Sequence, residues 1–205
     1  MRVLLSTIGS RGDVQPLLAL ALALRERGHE ARFCVPPDFR EWLEGLGFAV
    51  TPIGPKLQTF AAARPASATP SMPVMTPEQR RQLAEASVAA QFTAVAAAAD
   101  GCDRIVAASA LQIAARSVAE QRAIPYTFVG YCPNVFPSPH HAPPPLPAMP
   151  GQPVDALPPG NGELWARAAQ RFNDLFGPAL NAHRATIGLA PVGDVRAHVF
   201  GEELG

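Results

Sequence analysis

The chain has 205 residues, is 48% hydrophobic, and carries 17 Lys and Arg against 17 Asp and Glu, so its formal net charge is zero. That length can bury a full core and fits a single domain. Neutrality without like-charge runs argues against a nucleic-acid partner, and the lack of any apolar run of about 18 residues argues against an integral membrane segment. The start, MRVLLSTIGSRGD, is too short in apolar residues for a secretory signal, so a cytoplasmic location is expected. Cys34, Cys102 and Cys132 are widely spaced and lie in or beside apolar stretches, which predicts buried free thiols.

Residues 2–8 (RVLLSTI) read as a buried strand, and 16–27 as a helix with Pro16 in its first turn and Gly28 as its stop. A second strand is predicted over 30–36, a short helix over 37–47, and a third strand over 48–54. This alternation with short links predicts a parallel sheet flanked by helices, an α/β Rossmann-like unit. Residues 55–75, rich in Pro, Ala and Ser, read as a loop. A long small-residue helix follows from Thr76 and Pro77 to about Asp100 and is expected to pack in the core, with Gln91 or Phe92 as weaker candidates for facing a site. A fourth strand (102–109), a helix (110–123) and a fifth strand (124–133) complete the series. Residues 134–160 hold 10 of the 23 prolines and predict an extended, stiff segment. Residues 161–189 read as a helix interrupted near Gly177 and Pro178, and the last fifteen residues finish no obvious element, as if the chain stopped inside something larger.

The feature that packing does not explain is Gly9-Ser10-Arg11-Gly12-Asp13, set between a buried strand and an apolar helix. It is the first strand-to-helix turn, at the carboxyl end of the sheet, where open α/β folds bind ligands and helix N–H groups attract anions. Ser10 and Arg11 supply a hydroxyl and a forked cation suited to phosphate, and the glycines permit a tight approach. Asp13 either caps the helix, with Arg11 as its surface partner, or faces a substrate. The spacing is not G-x-G-x-x-G, and the second strand ends CVPPD, without a clear ribose-binding acid, so nicotinamide binding is disfavoured.

MRVLLSTIGSRGDVQPLLALALALRERGHEARFCVPPDF resembles the start of the family 1 glycosyltransferases of GT-B fold, and within them the actinomycete enzymes that decorate glycopeptide antibiotics. AAAADGCDRIVAAS, YCPNVFPSPHHAPPPL and NAHRATIGLAPVGDV fit the same group. The resemblance implies two Rossmann-like domains facing a cleft, the first receiving the acceptor and the second holding a UDP- or TDP-sugar. Family members run to roughly twice this length, and the donor motif of their second half is not in this sequence. Residues 1–205 are therefore read as one acceptor-binding domain without its nucleotide-sugar domain, unable to catalyse transfer alone. Asp13 matches the family's general base, and Ser10, Arg11 and Gly12 match the loop approaching the donor. The implied reaction moves a hexose-type sugar to a hydroxyl of an apolar aglycone, a glycopeptide first among them, with no cofactor.

The two proline-rich segments leave the same edge of the sheet as Asp13, so Phe60, Met72, Met75, Phe136 and Leu146 are candidates to wall an apolar acceptor cleft. His140 and His141 lack the neighbours a metal site needs, and no metal is expected. Trp42 and Trp165 are expected to be packing residues. Two further readings stand beside the transferase: a non-catalytic small-molecule-binding module and a nucleotide-cofactor-dependent oxidoreductase.

Overall fold

A computed structural model describes residues 1–56, 75–144 and 160–201. The strands β1 (Arg2–Thr7), β2 (Glu30–Val35), β3 (Ala49–Pro52), β4 (Arg104–Ala108) and β5 (Tyr126–Val129) form one sheet in the order β3-β2-β1-β4-β5. Every neighbouring pair is parallel, with Ser6 beside Cys34 on one flank of β1 and beside Ala107 on the other. The chain order reverses between β1 and β4, which makes the carboxyl ends of those two strands the switch point of the sheet.

The helices are α1 (Arg11–Glu26), α2 (Arg40–Gly45), α3 (Pro77–Ala98), α4 (Ala115–Gln121), α5 (Asn161–Thr186) and α6 (Val195–Phe200), with short 3-10 turns at Pro37–Phe39 and Pro133–Val135. Alternate strand residues feed two cores because side chains on a strand point to opposite faces. Val3, Leu5, Phe33 and Val106 pack with Val14, Leu17, Ala21 and Leu43 of α1 and α2. Leu4, Cys34, Ile105 and Ala107 pack with α3, α4, α5 and α6 through Val88, Val118, Leu180 and Val199. Each fully buried Leu or Val contributes about 1.5–3 kcal/mol of hydrophobic stabilisation. Among the described residues no helix is long and apolar enough to cross a membrane.

Several expectations change. α1 begins at Arg11, five residues before Pro16, because Ser10 and Asp13 close the helix start described below. The helix after β4 is shorter than 110–123: Gln91, buried on α3, accepts from the N–H groups of Ile113 and Ala114, at 2.8 and 3.3 Å, and holds that stretch as a turn. α5 runs unbroken through Pro178. An internal proline costs about 3 kcal/mol, and the burial of Phe176, Ala179, Leu180 and Arg184 around it outweighs that loss. The final residues do form a helix, α6, capped where Asp194 Oδ1 accepts from Ala197 N at 2.9 Å and moored where Asn173 Oδ1 accepts from Val195 N at 2.8 Å. Cys34 and Cys102 are buried, but Cys132 is exposed, since β5 ends at Val129 and the chain has already left the core. Burial pushes the Cys34 thiol up to about 12.

Candidate active site

Three residues, Ile8 to Ser10, turn the chain from β1 into α1. Ser10 is extended, at φ −80° and ψ −175°, and stands as the N-cap, with Asp13 at the third helical position. The Asp13 carboxylate reaches back: its Oδ2 accepts from Ser10 N at 2.7 Å and from the Ser10 hydroxyl at 3.2 Å. Asp13 N donates to Ser10 O at 3.0 Å. This is the capping-box arrangement, with an aspartate where glutamate or glutamine is common. Gly9 makes room for it, since a Cβ at that position would overlap the Asp13 carboxylate.

Among the described residues Oδ1 of Asp13 has no hydrogen-bond donor. One oxygen therefore anchors the group and the other is left to accept a proton. The N–H groups of Arg11 and Gly12, in the first turn, have no intrahelical acceptor and give this edge a positive bias.

The opposite rim of the crevice comes from the ends of β4 and β5. Ser109, directly after β4, takes a left-handed backbone with φ of 75°. A non-glycine residue in that region is uncommon and is a mark of functional or tightly packed turns. Leu111 beside it is exposed, and Gln112 is fully buried. Gln112 Nε2 donates to Ser6 Oγ at 2.7 Å, and Ser6 Oγ donates to Cys34 O at 3.2 Å, so a short polar chain crosses the end of β1. Tyr131, just beyond β5, donates its hydroxyl to the Asp13 carbonyl oxygen at 2.9 Å. Burial and the nearby Asp13 charge both push the Tyr131 phenol above its ordinary range.

Of the residues singled out from the sequence, Ser10, Gly12 and Asp13 come together at this junction. Arg11 does not pair with Asp13. Its Nε donates to Gln15 Oε1 at 3.2 Å and its guanidinium lies 5.2 Å from the centroid of the half-buried Trp42 ring. Met75 is half-buried just ahead of α3, with its carbonyl accepting from Arg80 at 2.7 Å. Phe136 turns into the core, 6.0 Å from Phe128 and 5.4 Å from Phe200 between ring centroids. Phe60, Met72 and Leu146 lie outside the described residues. Gln91 and Phe92 do not face the crevice: Gln91 caps the turn before α4, and Phe92 stacks on His183 at 4.8 Å. Trp165 is buried on α5 and donates Nε1–H to His141 O at 2.8 Å. Tyr131, Ser109 and Gln112 were missed: Ser109 and Tyr131 fall at the ends of the fourth and fifth predicted strands, on the same edge as Asp13, while Gln112 falls in the helix predicted over 110–123.

A second polar group lies elsewhere. Arg184 Nη1 donates to Glu120 Oε2 at 2.6 Å and to Ser117 Oγ at 2.8 Å, and His198 Nε2 lies 3.0 Å from the same hydroxyl. Arg116 pairs with Glu120 at 3.2 Å. Burial holds His198 down to about 4; Glu120 opposes that shift, and Arg184 and Arg116 add to it. A neighbouring cavity of about 260 Å³, lined by Arg116, Glu120, Tyr126 and Gly201 among others, sits at the amino end of β5, away from Asp13. Its charged liners already satisfy each other.

The model of the Glycosyltransferase family 28 N-terminal domain matches residues 3–136. Glycosyltransferase GtfC of Amycolatopsis orientalis is 44% identical across 98% of this chain and 47% of its own length. The vancomycin aglycone glucosyltransferase of the same organism is 41% identical across 95% of this chain and 46% of its own length. The chain thus spans about half the length of the curated relatives it matches. Among solved structures, glycosyltransferase VinC in complex with DTDP superposes with a TM-score of 0.54 at 19% identity, across 97% of this chain and 47% of that one. That similarity shows the fold: a Rossmann-like half of the kind found in GT-B glycosyltransferases.

Proposed function

The chain belongs to the glycosyltransferases that carry the family 28 N-terminal domain, and from that premise we propose that it is the acceptor-binding half of an enzyme moving a sugar from a nucleoside diphosphate to a hydroxyl of an apolar natural product. The preferred acceptor is a glycopeptide aglycone, because a relative at 41% identity is named for that substrate. The preferred donor is a TDP- or UDP-sugar, held by a second domain that residues 1–205 do not include. On this reading the chain by itself binds acceptor and does not catalyse transfer.

The observation that carries the proposal is the Asp13 carboxylate at the switch point of the sheet, fixed through Oδ2 and with no donor to Oδ1 among the described residues. In the reaction the acceptor oxygen bonds to the anomeric carbon, the bond from that carbon to the phosphate oxygen breaks, and the diphosphate leaves with the electron pair. The acceptor proton passes to Oδ1. A carboxylate is a weaker base than a phenolate by about six pKa units, or roughly 8 kcal/mol, so the proton moves late, as the new bond raises the acidity of the oxygen. Such help is worth about 10²- to 10⁴-fold. Ser10, Arg11 and Gly12 form the donor-side edge; for Arg11 to reach a phosphate it must leave Trp42, at about 0.5–1 kcal/mol. Met75, with Phe60, Met72 and Leu146, is assigned to the acceptor wall. Phe136 is not assigned to that wall, since its ring packs on Phe128 and Phe200.

Calorimetric titration of the 205-residue chain tests the division of labour. Binding of a glycopeptide aglycone, with no heat from TDP- or UDP-glucose, supports it. Binding of NAD(P) or a nucleotide sugar with no response to any aglycone would overturn it. Joining the chain to the second half of the vancomycin aglycone glucosyltransferase tests the chemistry: transfer should return, and Asp13→Asn should remove most of it.

A further inference from the structure

We propose that Tyr131 is a positioning residue for Asp13, holding the first turn of α1 from across the crevice, and that residues 130–136 transmit that hold from α6. The inference rests on the reading of Asp13 as the base. Ser10 and Asp13 share one helical turn, so the hydrogen bonds between them fix the carboxylate relative to α1 and not relative to the rest of the crevice. Val14 and Leu17 seat α1 on the sheet from below, and the Tyr131 hydroxyl adds a directional tie from the end of β5: it donates to Asp13 O at 2.9 Å, joining residues 118 apart in sequence. Tyr131 is 41% exposed, so hydrophobic burial alone does not set the position of its ring.

The other end of the tie is firmly seated. Phe136 packs against the paired rings of Phe128 and Phe200, and Val135 O accepts from Arg196 Nη2 of α6 at 3.2 Å. Gly130 lies against the same Phe136 ring, where a Cβ would overlap it, so any larger residue there must push the ring aside. The route from α6 through Phe136 and Tyr131 to Asp13 is thus made of packed rings and two hydrogen bonds to backbone oxygens.

Tyr131→Phe removes only the hydroxyl. In the 205-residue chain, hydrogen exchange of the Val14 and Gln15 amides should quicken about five- to tenfold, the worth of one modest hydrogen bond, while Leu22 and Leu24 keep their protection. In the joined two-domain enzyme kcat should fall about tenfold with the aglycone KM within twofold, as expected for a lost transition-state interaction. The decisive readout is the double mutant: in an Asp13→Asn background Tyr131→Phe should change kcat by less than twofold, because it acts through a base that is no longer there. Gly130→Ala, which displaces Phe136, should reproduce the first-turn exchange by a different route. Unchanged exchange in Tyr131→Phe, or an equal drop in kcat with and without Asp13, overturns the inference. Failure of the base reading itself has a different signature: an Asp13→Asn enzyme that keeps the parent kcat.

Discussion

The crevice beside Asp13 and the cluster around His198 both gather polar and ionisable side chains, and they differ in how those side chains are satisfied. Around His198, Arg184, Glu120, Ser117 and Arg116 consume one another's donors and acceptors, and the strongest shift in that group, His198 held down to about 4, comes first from burial. Around Asp13 the partners are fewer, and among the described residues one carboxylate oxygen is left without a donor. A perturbed group in a fully paired setting fastens elements together; here it ties α6 to α4 and α5. An accessible acceptor, anchored but not saturated, is the arrangement that can take a proton from a substrate. Perturbation alone would have pointed to the His198 cluster, at the other end of the sheet from the proposed base.

That contrast can be broken by four measurements. The largest effect is expected from Asp13→Asn, which should lower transfer by the joined enzyme about 10²- to 10⁴-fold while costing at most about 1 kcal/mol of stability in urea, the usual worth of a helix-cap contact. A stability loss much larger than that, with transfer preserved, would make Asp13 a capping residue and nothing more. Arg184→Met should behave in the reverse way. It leaves Glu120 partly buried without its closest cation, so unfolding should be easier by about 3 kcal/mol with aglycone affinity unchanged.

The third test is acid. His198 binds its proton less readily in the folded chain than in the unfolded one, so between pH 6.5 and 4 the unfolded state takes up more protons and stability falls as the pH is lowered. The loss should approach about 3 kcal/mol by pH 4, with no contribution from this group above about pH 6.5. His198→Gln should flatten that slope, and an unchanged slope would locate the acid sensitivity elsewhere. The smallest effect is expected from Gly9→Ala. The new methyl group must displace the Asp13 carboxylate, and a misplacement of about 1 Å can cost up to 10²-fold in rate. Full activity in that variant would show that the carboxylate tolerates movement the crevice is argued to prevent.

Much of this was legible in the chain as written. Alternating apolar strands and helices with short links dictate a parallel sheet, and the mismatch of Gly9 to Asp13 with its apolar surroundings marks the edge where the proposed site lies. Those are local signals, because periodicity and turn chemistry act over a few residues. The pair Ser10 and Asp13 is local too, and read as a capping box it places the start of α1 at Arg11; Pro16 and the two glycines drew the boundary too late. The helix α6 was also readable from Asp194 and Gly201.

The rest depended on distance in sequence. That β4 lies beside β1, that Gln91 delays the start of α4, that α5 survives Pro178, and that Tyr131 reaches Asp13 are all contacts between residues far apart in the chain or choices made by burial. The sequence by itself determined the layers, the edge and the candidate base. Only the tertiary structure decided which oxygen of Asp13 is anchored and what reaches its turn from the end of β5, because hydrogen-bond partners across the crevice are set by packing and leave no periodic trace in the residues that make them.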